Sequence, residues 1–279
     1  MRAMRRLLSS GAIALLLSAT PCLAGGKLLA TPGVSQFEGA AGGGLVPWAQ
    51  LAGYATENEV AFSGYCTRVD VDDFTLDTCG AQFNLFDRLE LSYAEQRLDV
   101  QPLTLELEQK IAGFKLRLAG DLVYSPYPQV SLGVMHKQLD DAAVPYALGA
   151  QDDTGTDIYL AVSKLHLGVL AGYNLLWNIT ARRTEANEAG LLGYGAADAS
   201  PQLLLEGSVA VLLDKRFALG VEYREKPDNL GLGEDDWRDL FVAWFPNKHL
   251  SVTAAWVDLG RIAAIEGQDG WYLSIMGYY

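Results

Sequence analysis

Along most of the chain the hydrophobic residues recur at every second position, which is the period of a β-strand and not of an α-helix. The stretch LTLELE at 103–108 places three leucines on one face of a strand and Thr104, Glu106 and Glu108 on the other. The same alternation recurs at 88–93, 114–118 and 217–224. The pattern therefore predicts an all-β fold with little helix.

Short turn-like connections alternate along the chain with long polar ones. The short ones lie at 84–87, 125–128, 213–216 and 246–249, and the long ones at 140–157, 184–200, 226–236 and 260–270. Outer-membrane barrels have short periplasmic turns and long external loops. With about 10 residues per strand, residues 45–279 are predicted to form a single antiparallel transmembrane β-barrel of roughly 12 strands. The KIAG stretch at 110–113 fits either a hairpin turn or a bulge within one long strand.

The first 24 residues have the pattern of a secretory signal peptide and not of folded structure. Three arginines precede an apolar run at 7–19, and Cys-Leu-Ala at 22–24 fits a cleavage site. The apolar run is too short for a membrane-spanning helix. Lipidation of Cys22 is an alternative that Pro21 disfavours. The chain is therefore expected to be exported.

Residues 25–44 are expected to lead into the barrel. Their glycine-rich part, EGAAGGG at 38–44, disfavours a helix and lacks the Lys-Ser/Thr of a nucleotide-binding loop. It is interpreted as a flexible lead-in or as a closely packed one tucked into the lumen. Loss of the three signal-peptide arginines changes the formal charge from −13 to −16, which argues against a nucleic-acid partner. No cofactor is predicted.

The last strand carries a candidate assembly signal. WYLSIMGYY at 271–279 alternates to its final residue and ends on an aromatic ring. It resembles the C-terminal signal of outer-membrane barrels, with Trp271, Leu273, Ile275 and Tyr279 as the residues that carry it. The expected partners are outer-membrane lipid and the barrel-assembly machinery, and the expected location is the outer membrane of a Gram-negative bacterium.

Charged residues that alternate with apolar ones are candidates for the lumen, if the apolar faces meet lipid. They are Arg68, Asp77, Glu90, Glu106, Glu108, Lys115, Arg117, Glu222 and Arg224. Two interpretations stay open, namely mutual pairing that fills a narrow barrel and a charged constriction that selects solutes by sign. Acidic residues in the predicted external loops are expected to be solvated or to hold divalent cations.

Two cysteines lie on either side of a group of aspartates in YCTRVDVDDFTLDTCG at 65–80. With 72–73 as a tight turn, antiparallel pairing sets Cys66 opposite Cys79 and Arg68 opposite Asp77. In an exported protein this pair predicts a disulfide. A calcium loop is disfavoured because no glycine or distal glutamate follows in register, and a redox site because there is no Cys-x-x-Cys. The apolar face of the hairpin is expected to meet lipid, with the cysteines in the lumen near one rim.

Several stretches resemble an uncharacterised proteobacterial family known only as a domain of unknown function. They are EGAAGGGLVPWAQLAGYAT (38–56), NLFDRLELSYAEQRLDV (84–100), GTDIYLAVSKL (155–165), EYREKPDNLG (222–231) and FPNKHLSVTAAWVDLG (245–260). The resemblance spans nearly the whole mature chain and implies an exported outer-membrane barrel. It implies no activity, ligand or catalytic residue.

The sequence predicts a passive small-solute pore or a structural surface barrel, and not an enzyme. The one candidate pair is His249 and Ser251, which resembles the His-x-Ser of outer-membrane phospholipases. It follows a turn placed on the periplasmic side, away from outer-leaflet lipid. An outer-membrane lipid-modifying enzyme and a soluble periplasmic β-sandwich that binds a ligand remain the alternatives.

Overall fold

The computed structural model describes residues 26–279, so the predicted signal peptide and the lipidation of Cys22 lie outside the described residues. The chain begins with a small hairpin of β1 (Val34–Ser35) and β2 (Ala41–Gly42). Twelve longer strands follow: β3 (Val60–Val71), β4 (Phe74–Leu85), β5 (Leu89–Val100), β6 (Leu105–Ala119), β7 (Gln129–Leu139), β8 (Thr154–Leu170), β9 (Tyr173–Thr184), β10 (Gln202–Leu212), β11 (Phe217–Arg224), β12 (Trp237–Asn247), β13 (Leu250–Asp258) and β14 (Asp269–Tyr278).

The twelve long strands form one closed barrel. Each pairs antiparallel with its neighbours in the chain, and β14 pairs with β3 to close the sheet. The predicted all-β barrel of about twelve strands is confirmed. The barrel begins at Val60 and not at Leu45, because residues 26–59 contribute no strand to the barrel sheet. The 110–113 stretch lies inside the continuous strand β6, whose one register shift in its pairing with β7 falls later, between Arg117 and Ala119.

The two ends of the barrel differ in the length of their connections. The end that holds the start of β3 and the end of β14 has connections at 86–88, 120–128, 171–172, 213–216 and 248–249. The opposite end has connections at 72–73, 101–104, 140–153, 185–201, 225–236 and 259–268. A short helix, α1 (Ala143–Leu148), and two 3₁₀ turns, Gln101–Leu103 and Glu188–Gly190, lie at this long-loop end. Among residues 26–279, no helix is long and apolar enough to cross a membrane.

A belt of apolar side chains surrounds the outside of the barrel. Val221, Leu240 and Ile275 are about half exposed on this surface. Aromatic rings border the belt: Phe217 stacks on Trp244 near the short turns, with ring centroids 6.3 Å apart. Near the long loops Trp256 lies directly opposite Trp271 in register, and both rings are exposed. An apolar band between two sets of aromatic rings is typical of a barrel that sits in a lipid bilayer.

The N-terminal segment fills the lumen. Every residue from 30 to 55 is buried, and the β1–β2 hairpin lies within this stretch. Both ends of the segment lie at the short-turn end, because Lys27 pairs with Asp87 in the 86–88 turn and Gly26 lies against Thr56. We call residues 26–59 the plug. Of the two interpretations of the glycine-rich lead-in, the structure has the closely packed one.

Candidate functional site: a plugged lumen

The backbone of the plug is held by carboxylates of the barrel wall. Glu90 accepts hydrogen bonds from the amides of Ala41 and Ala52, at 3.1 and 2.8 Å. On the opposite wall, Glu222 accepts one from the amide of Leu45 at 2.7 Å. A loop with few backbone partners of its own must find them elsewhere when it is buried. The wall supplies them, so polar contacts with the wall hold the backbone of the plug.

Other polar side chains of the wall donate to plug carbonyls. Lys115 donates from Nζ to the carbonyls of Ala41 and Gln50, both at 2.8 Å. Further donor–carbonyl pairs are Gln82–Gly39, Asn84–Ala52, Gln96–Phe37, Ser131–Ala49 and Thr180–Pro47, at 2.6 to 2.9 Å. These donors lie on strands between β4 and β9, about half of the barrel, and Glu222 on β11 holds the plug from the opposite side.

Toward its long-loop end the lumen holds a balanced cluster of three carboxylates and three cations, all buried. We call it the ion cluster; its members are Glu38, Lys137, Asp157, Arg182, Glu206 and Arg224. Glu38 belongs to the plug and the other five belong to strands. The strands thus contribute an excess of one positive charge, which the plug neutralises.

Within the ion cluster, Glu38 contacts all three cations. Arg224 donates to Glu38 Oε2 at 2.6 Å, Arg182 lies 3.2 Å away from the same oxygen, and Lys137 Nζ donates to Oε1. Burial alone would raise the pKa of Glu38, but the three cations hold the pKa well below its ordinary value. Glu38 is therefore ionised whenever the plug is seated at neutral pH.

The structure divides the nine predicted lumen charges into two sets. Glu90, Lys115, Glu222 and Arg224 point inward and are buried. Arg117 also lies on the inner face, at the short-turn rim, where it pairs with Asp87 and Asp121. The inward set does not line an open channel, since its members contact the plug, other members of the ion cluster or the rim.

The lumen assignment is wrong for Arg68, Asp77, Glu106 and Glu108, which lie on the outer face. Arg68 donates to Asp77 at 2.6 and 2.7 Å, and their side chains are 54% and 38% exposed. The error has a physical cause: these residues lie at the long-loop tips of their strands, above the apolar belt. There the outer surface meets water, and the apolar partners turn inward.

The same cause moves the cysteine pair to the outer face. The disulfide between Cys66 and Cys79 is confirmed, as is the predicted register that sets the two cysteines opposite each other. Both cysteines are exposed on the outside and not in the lumen. Val69 and Val71 point inward and are buried, so the expected lipid contact of this apolar face is wrong.

The sequence interpretation missed most of the ion cluster. Lys137 and Asp157 lie at inward positions of β7 and β8, and the residues on either side of each point outward. Charged residues at the inward positions of several strands are a signal that could be found from the alternation along each strand. Glu38 gives no such signal, because its glycine-rich surroundings carry no period. Only the fold brings it to the strands.

The candidate catalytic pair does not form a dyad. Ser251 Oγ shares a hydrogen bond of 2.8 Å with Tyr278 Oη. His249 Nδ1 lies 3.2 Å from the backbone carbonyl of Tyr278. Each side chain thus engages a different atom of Tyr278, and a general base must contact its nucleophile to activate it. Across residues 26–279, no group of three His, Cys, Asp or Glu side chains is placed to hold a metal ion.

Residues 31–276 match the family described as "Protein of unknown function (DUF3034)". No curated protein matches the chain in sequence. Among solved structures, the KdgM porin matches with a TM-score of 0.51 and 10% identity, covering 78% of this chain and 98% of the porin. Omp33 of Acinetobacter baumannii matches with a TM-score of 0.47 and 9% identity, covering 80% and 99%. At this identity the KdgM likeness shows the fold alone, that of an outer-membrane porin barrel.

Proposed function

The chain belongs to the DUF3034 family, whose description specifies no activity, and we propose that it is an outer-membrane channel for small solutes, closed by its own N-terminal plug. The apolar belt with its aromatic borders, the long loops at one end and the porin-type fold support the outer-membrane location. Export by the predicted signal peptide is part of the same proposal.

The observation that carries the channel proposal is the polarity of the inner wall behind the plug. A barrel of about 8 strands is filled by its own side chains, whereas wider barrels enclose a channel or a plugged lumen. Here twelve strands enclose a plug, and the wall around it presents carboxylates, amides, hydroxyls and cations. Such groups are re-solvated by water when the plug withdraws. An apolar wall would instead resist wetting.

The direction of withdrawal follows from where the plug is attached. Its two ends lie at the short-turn end, so the plug is a re-entrant loop that enters from that side. The short turns correspond to the periplasmic end of an outer-membrane barrel. We therefore expect the plug to leave toward the periplasm, which opens the lumen while the strands stay paired.

A planar-bilayer recording tests the proposal with a plug that is locked in place. A Cβ built at Gly39 lies 3.2 Å from the Cβ of Ala94 on β5, close to the separation that a disulfide spans. The double variant Gly39→Cys/Ala94→Cys should be silent when oxidised and show discrete conductance steps when reduced. The single variants control for strain at Gly39, whose φ is +110°. Unaltered protein under the same reductant controls for reduction of Cys66–Cys79.

Two outcomes would contradict the channel. Conductance steps of equal frequency in the locked and unlocked forms would mean that the current does not pass through the plugged lumen. Silence in both forms, and in a variant whose ion cluster is disrupted by Glu38→Gln, would favour a structural surface barrel instead.

A further inference from the structure

The long-loop end of the barrel encloses a hydrophobic cavity of about 170 Å³. Its wall has three parts: the inward faces of the tips of β3 to β6 and of β12, the apex of the plug at Phe37 and Leu45, and the loops 140–153, 185–201 and 259–268. The side chains that line it are almost all hydrocarbon. We call this space the cup.

Lipid contact does not explain the apolar surface of the cup, because the same strand tips are charged on the outside. Arg97 Nε lies 2.8 Å from Glu106 Oε2, and Lys110 Nζ lies 2.7 Å from Asp140. These pairs are exposed, as is the Arg68–Asp77 pair already described. The tips therefore separate water on their outer side from an apolar space on their inner side.

The size of the cup indicates what it can hold. An engineered apolar cavity of about 150 Å³ in another protein stays dry and binds benzene. A cavity of about 170 Å³ accommodates one substituted monocyclic aromatic hydrocarbon. A long acyl chain does not fit entirely inside this volume, and water finds too few polar partners on these walls.

The one carboxyl group of the lining favours a neutral ligand. Lys226 lies between Glu188 in the wall and Glu234, with Nζ–O distances of 2.5 and 2.7 Å. Burial raises the pKa of Glu188 to about 8, although Lys226 acts in the opposite direction. One cation is thus shared by two carboxyl groups, and the site has no positive charge to spare. Among the described residues that line the cup there is no lysine or arginine. The cations just behind the lining are already paired, Arg224 with Glu38 and Lys226 with Glu188 and Glu234, so a carboxylate ligand would be desolvated without a free cation beside it.

The entrance lies on the external side. Leu103, in the 101–104 turn, is 66% exposed, and Leu148, at the end of α1, is 38% exposed, and both line the cup. We propose that the cup is a binding site for one neutral aromatic hydrocarbon about the size of toluene, which enters between the 101–104 turn and α1. The site does not rest on the channel proposal, because it is complete while the plug is seated.

Equilibrium dialysis of radiolabelled toluene against the full mature chain in amphipol tests the site. Val144, on α1, lines the cup and is half-buried, so Val144→Phe should fill it. Val221→Phe is the matched control, since Val221 lies on the outer belt. We expect one saturable toluene site per barrel in the unaltered protein and in Val221→Phe. In Val144→Phe we expect at least tenfold weaker binding.

Further readouts keep the test decisive. If Val144→Phe fails to give a heat-modifiable barrel, Trp237 in the wall of the cup provides a signal on the unaltered protein. Toluene should change its fluorescence saturably, and Trp237→Phe should lose that change. Equal, non-saturating uptake by all variants would mean partition into amphipol and would overturn the site. Benzoate binding as tight as toluene binding would overturn the neutral-ligand assignment. Channel failure in the bilayer would leave both results unaffected.

Discussion

Replacing Glu38 by glutamine removes the single negative charge that the plug contributes to the ion cluster. The strands would then hold three cations against two carboxylates, all of them buried. The shape of the side chain is kept, and its remaining oxygen can still accept a hydrogen bond from Arg224 or Lys137. The variant therefore perturbs charge and leaves packing nearly unchanged.

The expected loss is large because the uncompensated charge stays buried as long as the plug is seated. Removal of one partner of a buried ion pair costs about 3–5 kcal/mol, and the retained hydrogen bonds place this variant near the lower bound. Since 1.4 kcal/mol is a factor of ten, the equilibrium for plug release should shift by roughly a hundredfold or more. The strands keep their backbone pairing, so the free energy of unfolding of the barrel itself should change far less.

Hydrogen exchange of backbone amides separates these two effects. The amides of Gln36, Phe37 and Gly39 are hydrogen bonded within the plug, at 2.8 to 3.0 Å, and should exchange about a hundredfold faster in Glu38→Gln. Amides of β9 should exchange as before. Glu106→Gln is the matched control, because its pair with Arg97 is exposed and worth less than about 1 kcal/mol.

Three results would contradict a plug that is held by the ion cluster. Unchanged plug amides in Glu38→Gln would mean that the ion cluster does not hold the plug. Equal acceleration in the Glu106→Gln control would point to a general effect of charge loss. Parallel acceleration of plug and strand amides would mean that the barrel and the plug open as one unit.

Acidification should also release the plug. The pKa of Glu38 in the seated plug lies well below its ordinary value of 4.5. Glu38 therefore holds the plug fully above pH 4.5, and the plug loosens as the pH falls below 4.5 toward the pKa of Glu38 in the seated plug. Bilayer open probability should rise accordingly, and should rise less with falling pH in Glu38→Gln, in which only the carboxylates of the wall still titrate. Cys66→Ser/Cys79→Ser should lower the free energy of unfolding, measured by urea titration, by about 3 kcal/mol. The unaltered protein after reduction should show the same loss, and a much larger loss would mean that the disulfide stabilises more than its own hairpin. Tyr279→Ser should lower the yield of heat-modifiable barrel in cells. It should not change refolding in detergent, because the variant keeps the backbone hydrogen bonds to Phe62. An unchanged yield in cells would mean that Tyr279 is not part of the assembly signal.

The register of the disulfide hairpin could be predicted because it depends only on local rules. A two-residue turn at 72–73 fixes which residues face each other, so the pairing of Cys66 with Cys79 follows by counting. The strand number followed in the same way, from the spacing of turn-like segments along the chain. Neither inference needs to know what surrounds the strand.

The direction of each face could not be predicted in this way, as β6 demonstrates. Its parity is constant: Leu107, Ile111 and Lys115 all point inward and are buried, while Glu106 and Phe114 point outward. The chemistry of the two faces nevertheless exchanges midway along the strand. An apolar residue thus points to lipid in one half of β6 and into the cup in the other.

The class of fold, the antiparallel order, the cysteine pairing and the approximate number of strands follow from the amino-acid sequence alone, because alternation and turns are properties of neighbouring residues. Which face meets lipid, where the plug lies and which charges meet depend on the three-dimensional fold. Lys137, Arg182 and Arg224 lie on strands far apart in the chain, and Glu38 reaches them only through the closed lumen. A buried ion cluster depends on three-dimensional proximity and desolvation, and no local pattern encodes either.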